Sequence, residues 1–273
     1  MAVTPVKLSP MMKRCINNTL LESMVLDGFL LLASASALLV GLSKGGLPTI
    51  GMLAVPLLSM VMSPVKAAAL LLPIFVVSDM VSVWLYRRQF SADNLKILIP
   101  ASLIGVLVGW LTASFTSDSA VTLLIGCIGM GFCLSVWLRR TEPPPQAAEL
   151  RKGIFWGALA GFTSFISHAG APPFQVYVLP QRLPKAVFAG TASILFTVIN
   201  LAKVFPYQQL NPYSVEDLYQ AAWLVPAALV GTVIGAYLTK IIHEKWFFRW
   251  VRLALFGISV KLVWDGAHGL GCC

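Results

Sequence analysis

The chain has 273 residues, of which 58% are apolar and 11% charged, with a formal net charge of +9. A soluble domain carries about 25% charged residues, and the apolar residues here are contiguous, so a soluble globular protein is excluded. The positive charge does not point to nucleic acid, because the cations sit in short loops between apolar runs and lack interleaved aromatic platforms.

Residues 1–24 read as an N-terminal interfacial segment carrying Lys7, Lys13 and Arg14. The apolar run after Lys13 and Arg14 ends in Ala33-Ser-Ala-Ser-Ala37, the outline of a cleaved signal peptide. It continues into a segment with a counterpart later in the chain, so it reads as retained.

Apolar segments follow at 25–43, 47–62, 65–86, 95–115 and 120–138, then at 153–168, 171–182, 186–205, 217–239 and 246–265. Most reach the roughly 20 residues that cross a hydrocarbon core. Between the two sets, Arg139, Arg140, Glu142-Pro-Pro-Pro145, Arg151 and Lys152 form a polar joint that cannot continue a helix.

The two sets share one plan. Ile99-Pro-Ala-Ser-Leu-Ile-Gly-Val-Leu-Val-Gly109 aligns with Val225-Pro-Ala-Ala-Leu-Val-Gly-Thr-Val-Ile-Gly235 at an offset of 126, and an offset of 124 pairs Ser43, Gly46, Pro48 and Pro56 with Ser167, Gly170, Pro172 and Pro180. The expected organisation is a first transmembrane repeat at 25–138, a cytoplasmic linker at 139–152, a second repeat at 153–266 and a tail at 267–273.

Five segments per repeat reverse direction. The connections 87–96, 139–152 and 240–249 hold Arg87, Arg88, Lys96, Arg139, Arg140, Arg151, Lys152, Lys240, Lys245 and Arg249, whereas 112–120 and 206–217 hold no Lys or Arg. By the positive-inside rule, equivalent loops therefore lie on opposite sides and the repeats are inverted. The fold class is an all-α polytopic membrane protein of two inverted-topology repeats. It has about 8–10 membrane segments, including short broken or re-entrant helix pairs.

Those short pairs are punctuated by Ser43-Lys-Gly-Gly-Leu-Pro48 and Ser167-His-Ala-Gly-Ala-Pro-Pro173. Matching Gly/Pro breaks in two halves point to a transporter's binding site. A Pro at a helix start leaves the amides before it free, and these with the helix dipole suit an anion.

The ionisable residues at depth are Lys44, Lys66, His168, Lys185 and Lys203 against the single acid Asp79. Lys66, Arg182 and Lys185 read as snorkelling from segment ends. Lys44 and His168 stand at equivalent places beside the breaks; either they line a site, or His168 is a hydrogen-bonded interior histidine. Asn200 and Lys203 share one helical face turned to substrate, unless Lys203 snorkels. Asp79 carries a coupling proton or serves as a fixed counter-ion.

The residues placed at a substrate are Ser43, Lys44, Gly45, Gly46, His168, Gly170, Pro172, Asn200 and Lys203. Gly105-x-x-x-Gly109 and Gly231-x-x-x-Gly235 read as close-packing seams, which leaves a homodimer open as well as packing within one chain. Cys15, Cys127, Cys133, Cys272 and Cys273 show no ligand spacing and receive no role. No metal or cofactor is expected, because His168 has no ligand partner at the right spacing and no nucleophile–base pair appears. The competing reading is a membrane-embedded enzyme that brings Asp79 and His168 together by folding.

The first break, the run Gly161-Phe-Thr-Ser-Phe-Ile-Ser-His-Ala-Gly-Ala-Pro-Pro-Phe174, and Leu183-Pro-Lys-Ala-Val-Phe-Ala-Gly-Thr191 continuing to Asn200-Leu-Ala-Lys203 and Tyr207 together resemble the sulfite exporter TauE/SafE family of permeases, over essentially the whole chain. The resemblance implies a multi-pass carrier of the bacterial inner membrane, coupled to an ion gradient. It would move small anions by alternating access: sulfite, sulfonates or related sulfur-containing or carboxylate anions. Thr191 joins the substrate residues on this basis. Typical members have more glycines where this chain has His168-Ala-Gly-Ala-Pro172, so His168 and Ala171 would reshape the pocket.

Overall fold

The computed structural model describes residues 28–48, 50–62, 64–113, 117–138, 145–210 and 212–271. The interfacial segment expected at 1–24, positions 139–144 of the linker and the last two residues of the tail lie outside the described residues.

The described chain is helical throughout, without strands. In order, the helices are α1 (Gly28–Lys44), α2 (Ala54–Leu58), α3 (Pro64–Tyr86), α4 (Ala92–Thr112), α5 (Asp118–Trp137), α6 (Leu150–Ser167), α7 (Ala171–Val178), α8 (Lys185–Leu210), α9 (Val215–Ile241) and α10 (Glu244–Gly269). Serine caps fix several starts: Ser91 accepts from the Asn94 amide, Ser117 from that of Ala120, and Ser214 forms a capping box with Asp217. Four helices are long and apolar enough to span a membrane by length and composition, within α3, α4, α8 and α9. Exposed Leu111, Trp223 and Tyr237 lie on these helices, with Trp84 toward the end of α3 and Trp264 toward that of α10, as lipid contact and an interfacial aromatic belt require.

The two short segments depart from single helices. The segment expected at 47–62 is a 3-10 turn, Ile50–Leu53, followed by α2 of 5 residues. The one expected at 171–182 is α7 of 8 residues followed by a second turn, Leu179–Gln181. At about 1.5 Å per residue neither crosses a bilayer. Each folds back on the helix before it: a Cβ on Gly51 would meet Ser43, and one on Gly170 would meet Ser164 and the Ala160 carbonyl. These are re-entrant hairpins. Their turns use left-handed backbone, at Gly46 (φ 120°) and at His168 (φ 53°). Elsewhere the boundaries shift by a few residues: α6 begins inside the expected linker with Glu149 as its N-cap, and α10 runs past 266 into the expected tail.

Packing between the halves is reciprocal. The seam of α4 closes on α6, where a Cβ on Gly105 would lie 1.9 Å from the Ala158 carbonyl and one on Gly161 would lie 2.0 Å from that of Ser102. The seam of α9 closes in the same way on α1, with Gly41 against the Ala228 carbonyl and Gly235 against that of Leu42. Both seams are thus filled within one chain.

Equivalent helices run antiparallel. In α3 and α8, Asp79 meets Asn200 and Ser82 meets Ser193; in α5 and α10, Gly126 faces Val263 and Gly129 faces Ser259. Antiparallel counterparts mean that one half is inverted relative to the other.

Candidate functional site

The site grows from α3 and α8. Along α8, Ser193, Phe196, Asn200, Lys203 and Tyr207 recur every three or four residues and so share one stripe; along α3, Phe75, Asp79, Ser82 and Tyr86 do the same. The two hairpin turns deliver Lys44 and His168 to this seam. The result is a polar column through the centre of the molecule.

In its lower part, Lys44 Nζ lies 2.7 Å from Asp79 Oδ1, and Asn200 Nδ2 donates to Asp79 Oδ2 at 2.7 Å. Asp79 is wholly buried and Lys44 is 6% exposed. A carboxylate removed from water needs such partners, since an unpaired buried charge is costly. The Lys44 ammonium also lies 5.0 Å from the Phe75 ring centroid and 5.7 Å from that of Phe196, within cation–π range. Below it, the Lys44 carbonyl accepts from Ser82 Oγ, which pairs with Ser193 Oγ at 2.5 Å.

In its upper part, Lys203, wholly buried, donates to the Ser164 carbonyl at 3.0 Å and to Ser164 Oγ at 3.2 Å, and lies 3.3 Å from His168 Nδ1. When Lys203 is an ammonium it only donates, so in that state Nδ1 accepts and the ring proton is on Nε2. Nε2 faces Tyr207 OH at 3.3 Å, and that hydroxyl donates to the Phe165 carbonyl at 2.8 Å. The imidazole stacks on Phe75, with centroids 5.4 Å apart and planes 10° from parallel.

The two parts are related by the repeat. At the offset of 124 Lys44 corresponds to His168, and Asp79 to Lys203. The first half thus presents a base–acid pair where the second presents a base–base pair.

Beside Lys44 is a small cavity of about 40 Å³, lined among others by Ser43, Lys44, Phe75, Ser164, His168, Ser193, Phe196 and Asn200. Of the residues placed at a substrate from sequence, Ser43, Lys44, His168 and Asn200 meet here. Lys203 and Asp79 stand directly behind them.

The remaining residues hold the frame. The amides of Gly45 and Gly46 bond to the Gly41 and Ser43 carbonyls, at 2.9 and 3.3 Å, and so are not free for an anion as the break motif suggested. Gly45 packs against α9, and its carbonyl accepts from Tyr86 OH at 2.6 Å and Thr239 Oγ1 at 3.1 Å. Gly170 and Pro172 are buried in the second turn and the start of α7. Thr191 lies outside the cavity lining: its Oγ1 donates to the Val187 carbonyl and accepts the Ser91 amide at 2.9 Å. Lys185 does not snorkel but caps the end of α9, donating to the carbonyls of Lys240 at 2.8 Å and Ile242 at 2.5 Å.

The sequence reading passed over Ser164, Ser193, Phe75 and Phe196. The three-and-four spacing along α3 and α8 was the signal that marked the last three of these, whereas Ser164 needed the fold.

The end of the column that bears the cation-rich loops is the one the positive-inside rule would assign to the cytoplasm. There Asn94 and Gln181 exchange side-chain hydrogen bonds of 2.8 and 3.0 Å, both residues being buried. At the opposite end is a larger cavity of about 560 Å³. It is lined by Phe165, Tyr207 and the Lys261–Asp265 ion pair among others, and Met52 borders both cavities. Gln181→Leu leaves the buried Asn94 Oδ1 without its donor, while Nδ2 keeps Ser91 Oγ at 2.9 Å, at a cost of about 1–3 kcal/mol. Faster hydrogen exchange in the following turn and the first turns of α8 is the expected result.

The profile of the family described as Sulfite exporter TauE/SafE matches residues 33–262, most of the chain. The chain belongs to the sulfite exporter TauE/SafE family. No curated protein and no solved structure gives a match. Membership makes the chain a multi-pass membrane transporter of the sulfite or anion exporter type. In this TauE/SafE chain Asp79 is bonded to Lys44 and Asn200, and His168 faces Lys203 and Tyr207. The hydrogen-bonded Asp79–His168 pair of the enzyme reading is not formed.

Proposed function

We propose that this protein carries a small anion across the membrane by alternating access to the cavity beside Lys44. The observation that carries the reading is the pairing of Lys44 with a buried Asp79 while Lys44 itself borders the cavity. Asp79 fixes the ammonium, and the remaining N–H donors of Lys44 face an incoming anion together with the second N–H of the Asn200 amide, while Ser43 and Ser193 line the space with their hydroxyl protons held by the Val40 carbonyl and Ser82. Charge-assisted bonds of this kind are about twice as strong as neutral ones. The substrate class is a compact oxyanion such as sulfite, a sulfonate or a carboxylate. The bonded inner end and the cavity at the outer end support assignment of this conformation as outward-facing. Inversion of the halves supplies a second, mirrored conformation at low cost in new contacts.

The test is counterflow in proteoliposomes loaded with sulfite, methanesulfonate or acetate, with the same labelled anion outside. Saturable counterflow of at least one is expected. Absence of counterflow with all three contradicts the proposal.

A further inference from the structure

The cluster at the centre of the molecule is out of electrical balance. Lys44 is offset by Asp79, but the described residues place no carboxylate within ion-pair distance of Lys203, whose hydrogen-bond partners are Ser164 and His168. Asp79 acts on Lys203 only at longer range, because its two oxygens are held by Lys44 and Asn200. With Lys203 protonated and His168 neutral, the empty site carries one net positive charge, wholly removed from water. Burying such a charge is costly, and an anion in the adjoining cavity offsets it.

A path for the charge to leave is also present. His168 bridges Lys203 and Tyr207, at 3.3 Å on either side, and Tyr207 borders the outer cavity. The charged groups acting on Lys203 are Lys44 from α1 and Asp79 from α3. His168 at the end of α6 and Tyr207, one turn further along α8, complete the titratable set around it. The Lys261–Asp265 pair of α10 borders only the outer cavity, and the charged residues of α4 and α9 lie at helix ends.

We propose that Lys203 is the proton carrier of the transport cycle: it keeps its proton while an anion occupies the cavity beside Lys44, and releases it through His168 and Tyr207 when the cavity is empty. This rests on the anion reading above. In the release step the Nζ–H bond breaks as an Nδ1–H bond forms, and lysine retains the electron pair as a neutral amine. The Nε2 proton passes to Tyr207 Oη, whose own proton leaves the Phe165 carbonyl for water in the outer cavity. Anion and proton therefore bind together and cross together, and a monoanion is carried without net charge. Linkage is reciprocal, so a proton gradient drives the anion as strongly as the anion holds the proton.

The experiment uses the full-length protein in proteoliposomes with the membrane potential clamped at zero. The probe is labelled methanesulfonate, a monoanion at every pH employed. An acidic exterior is expected to drive accumulation of about tenfold per pH unit, the ratio set by one proton per monoanion. Lys203→Met is expected to show no accumulation from the pH gradient. Proton uptake on adding methanesulfonate to purified protein in weak buffer gives a second readout that survives loss of flux. About one proton per bound anion is expected in the native protein, and none in Lys203→Met.

Counterflow without pH-driven accumulation overturns the proton role alone. So does proton uptake kept in Lys203→Met. Failure of methanesulfonate, sulfite and acetate alike to counterflow overturns the anion reading itself.

Discussion

Lys44→Met is expected to abolish anion flux and to destabilise the folded protein by about 3–5 kcal/mol, the cost of leaving one member of a buried ion pair without its partner. Asp79 is wholly buried, and the Asn200 amide is its remaining close partner. The double variant Lys44→Met/Asp79→Asn separates the two effects. Replacing the carboxylate with an amide removes the stranded charge and is expected to restore most of the stability, while flux stays absent because no cation faces the cavity. Thermal unfolding in detergent reads the first effect and proteoliposome counterflow the second. Recovery of transport in the double variant would place the anion elsewhere.

Gly105→Ala is the second large effect. Its Cβ would lie 1.9 Å from the Ala158 carbonyl, a backbone atom with no rotamer through which to yield, so α4 and α6 must separate. Overpacking of this kind typically costs about 1–3 kcal/mol, and here the upper end is expected because backbone meets backbone. Gly41→Ala, with its Cβ 1.9 Å from the Ala228 carbonyl on the reciprocal seam, should behave alike. Gly131 is the control: nothing lies within 4 Å of its Cβ position, so Gly131→Ala should be neutral or stabilising by up to about 1 kcal/mol. Equal losses in all three would remove the seams as the cause.

The inverted plan could be read from the chain because two independent signals coincide. The Pro100/Pro226, Gly105/Gly231 and Gly109/Gly235 matches define the repeat, and the loop cations define its sense. Lys44, His168 and Asn200 were legible at the cavity because charge at membrane depth is expensive and beside a helix break has few other uses. The partner of each seam was not legible, since Gly-x-x-x-Gly reports only that something approaches closely. The fate of the Gly45 and Gly46 amides was hidden for a related reason: a Gly-Gly-x-Pro string is equally compatible with amides turned to a ligand and amides spent in a tight turn. Tertiary contact with Tyr86 and Thr239 selects the turn. Thr191 carries a family motif, but its hydroxyl serves the inner closure, because α8 turns that face toward Ser91 rather than toward the column.

The most direct test of the central claim is a structure of the protein in lipid with methanesulfonate, sulfite or acetate at saturating concentration. Density for an oxyanion within hydrogen-bond distance of Lys44 Nζ, flanked by Ser43, Ser193 and Asn200, is the predicted result. An anion confined to the outer cavity near Lys261, with the space beside Lys44 still empty, would contradict it.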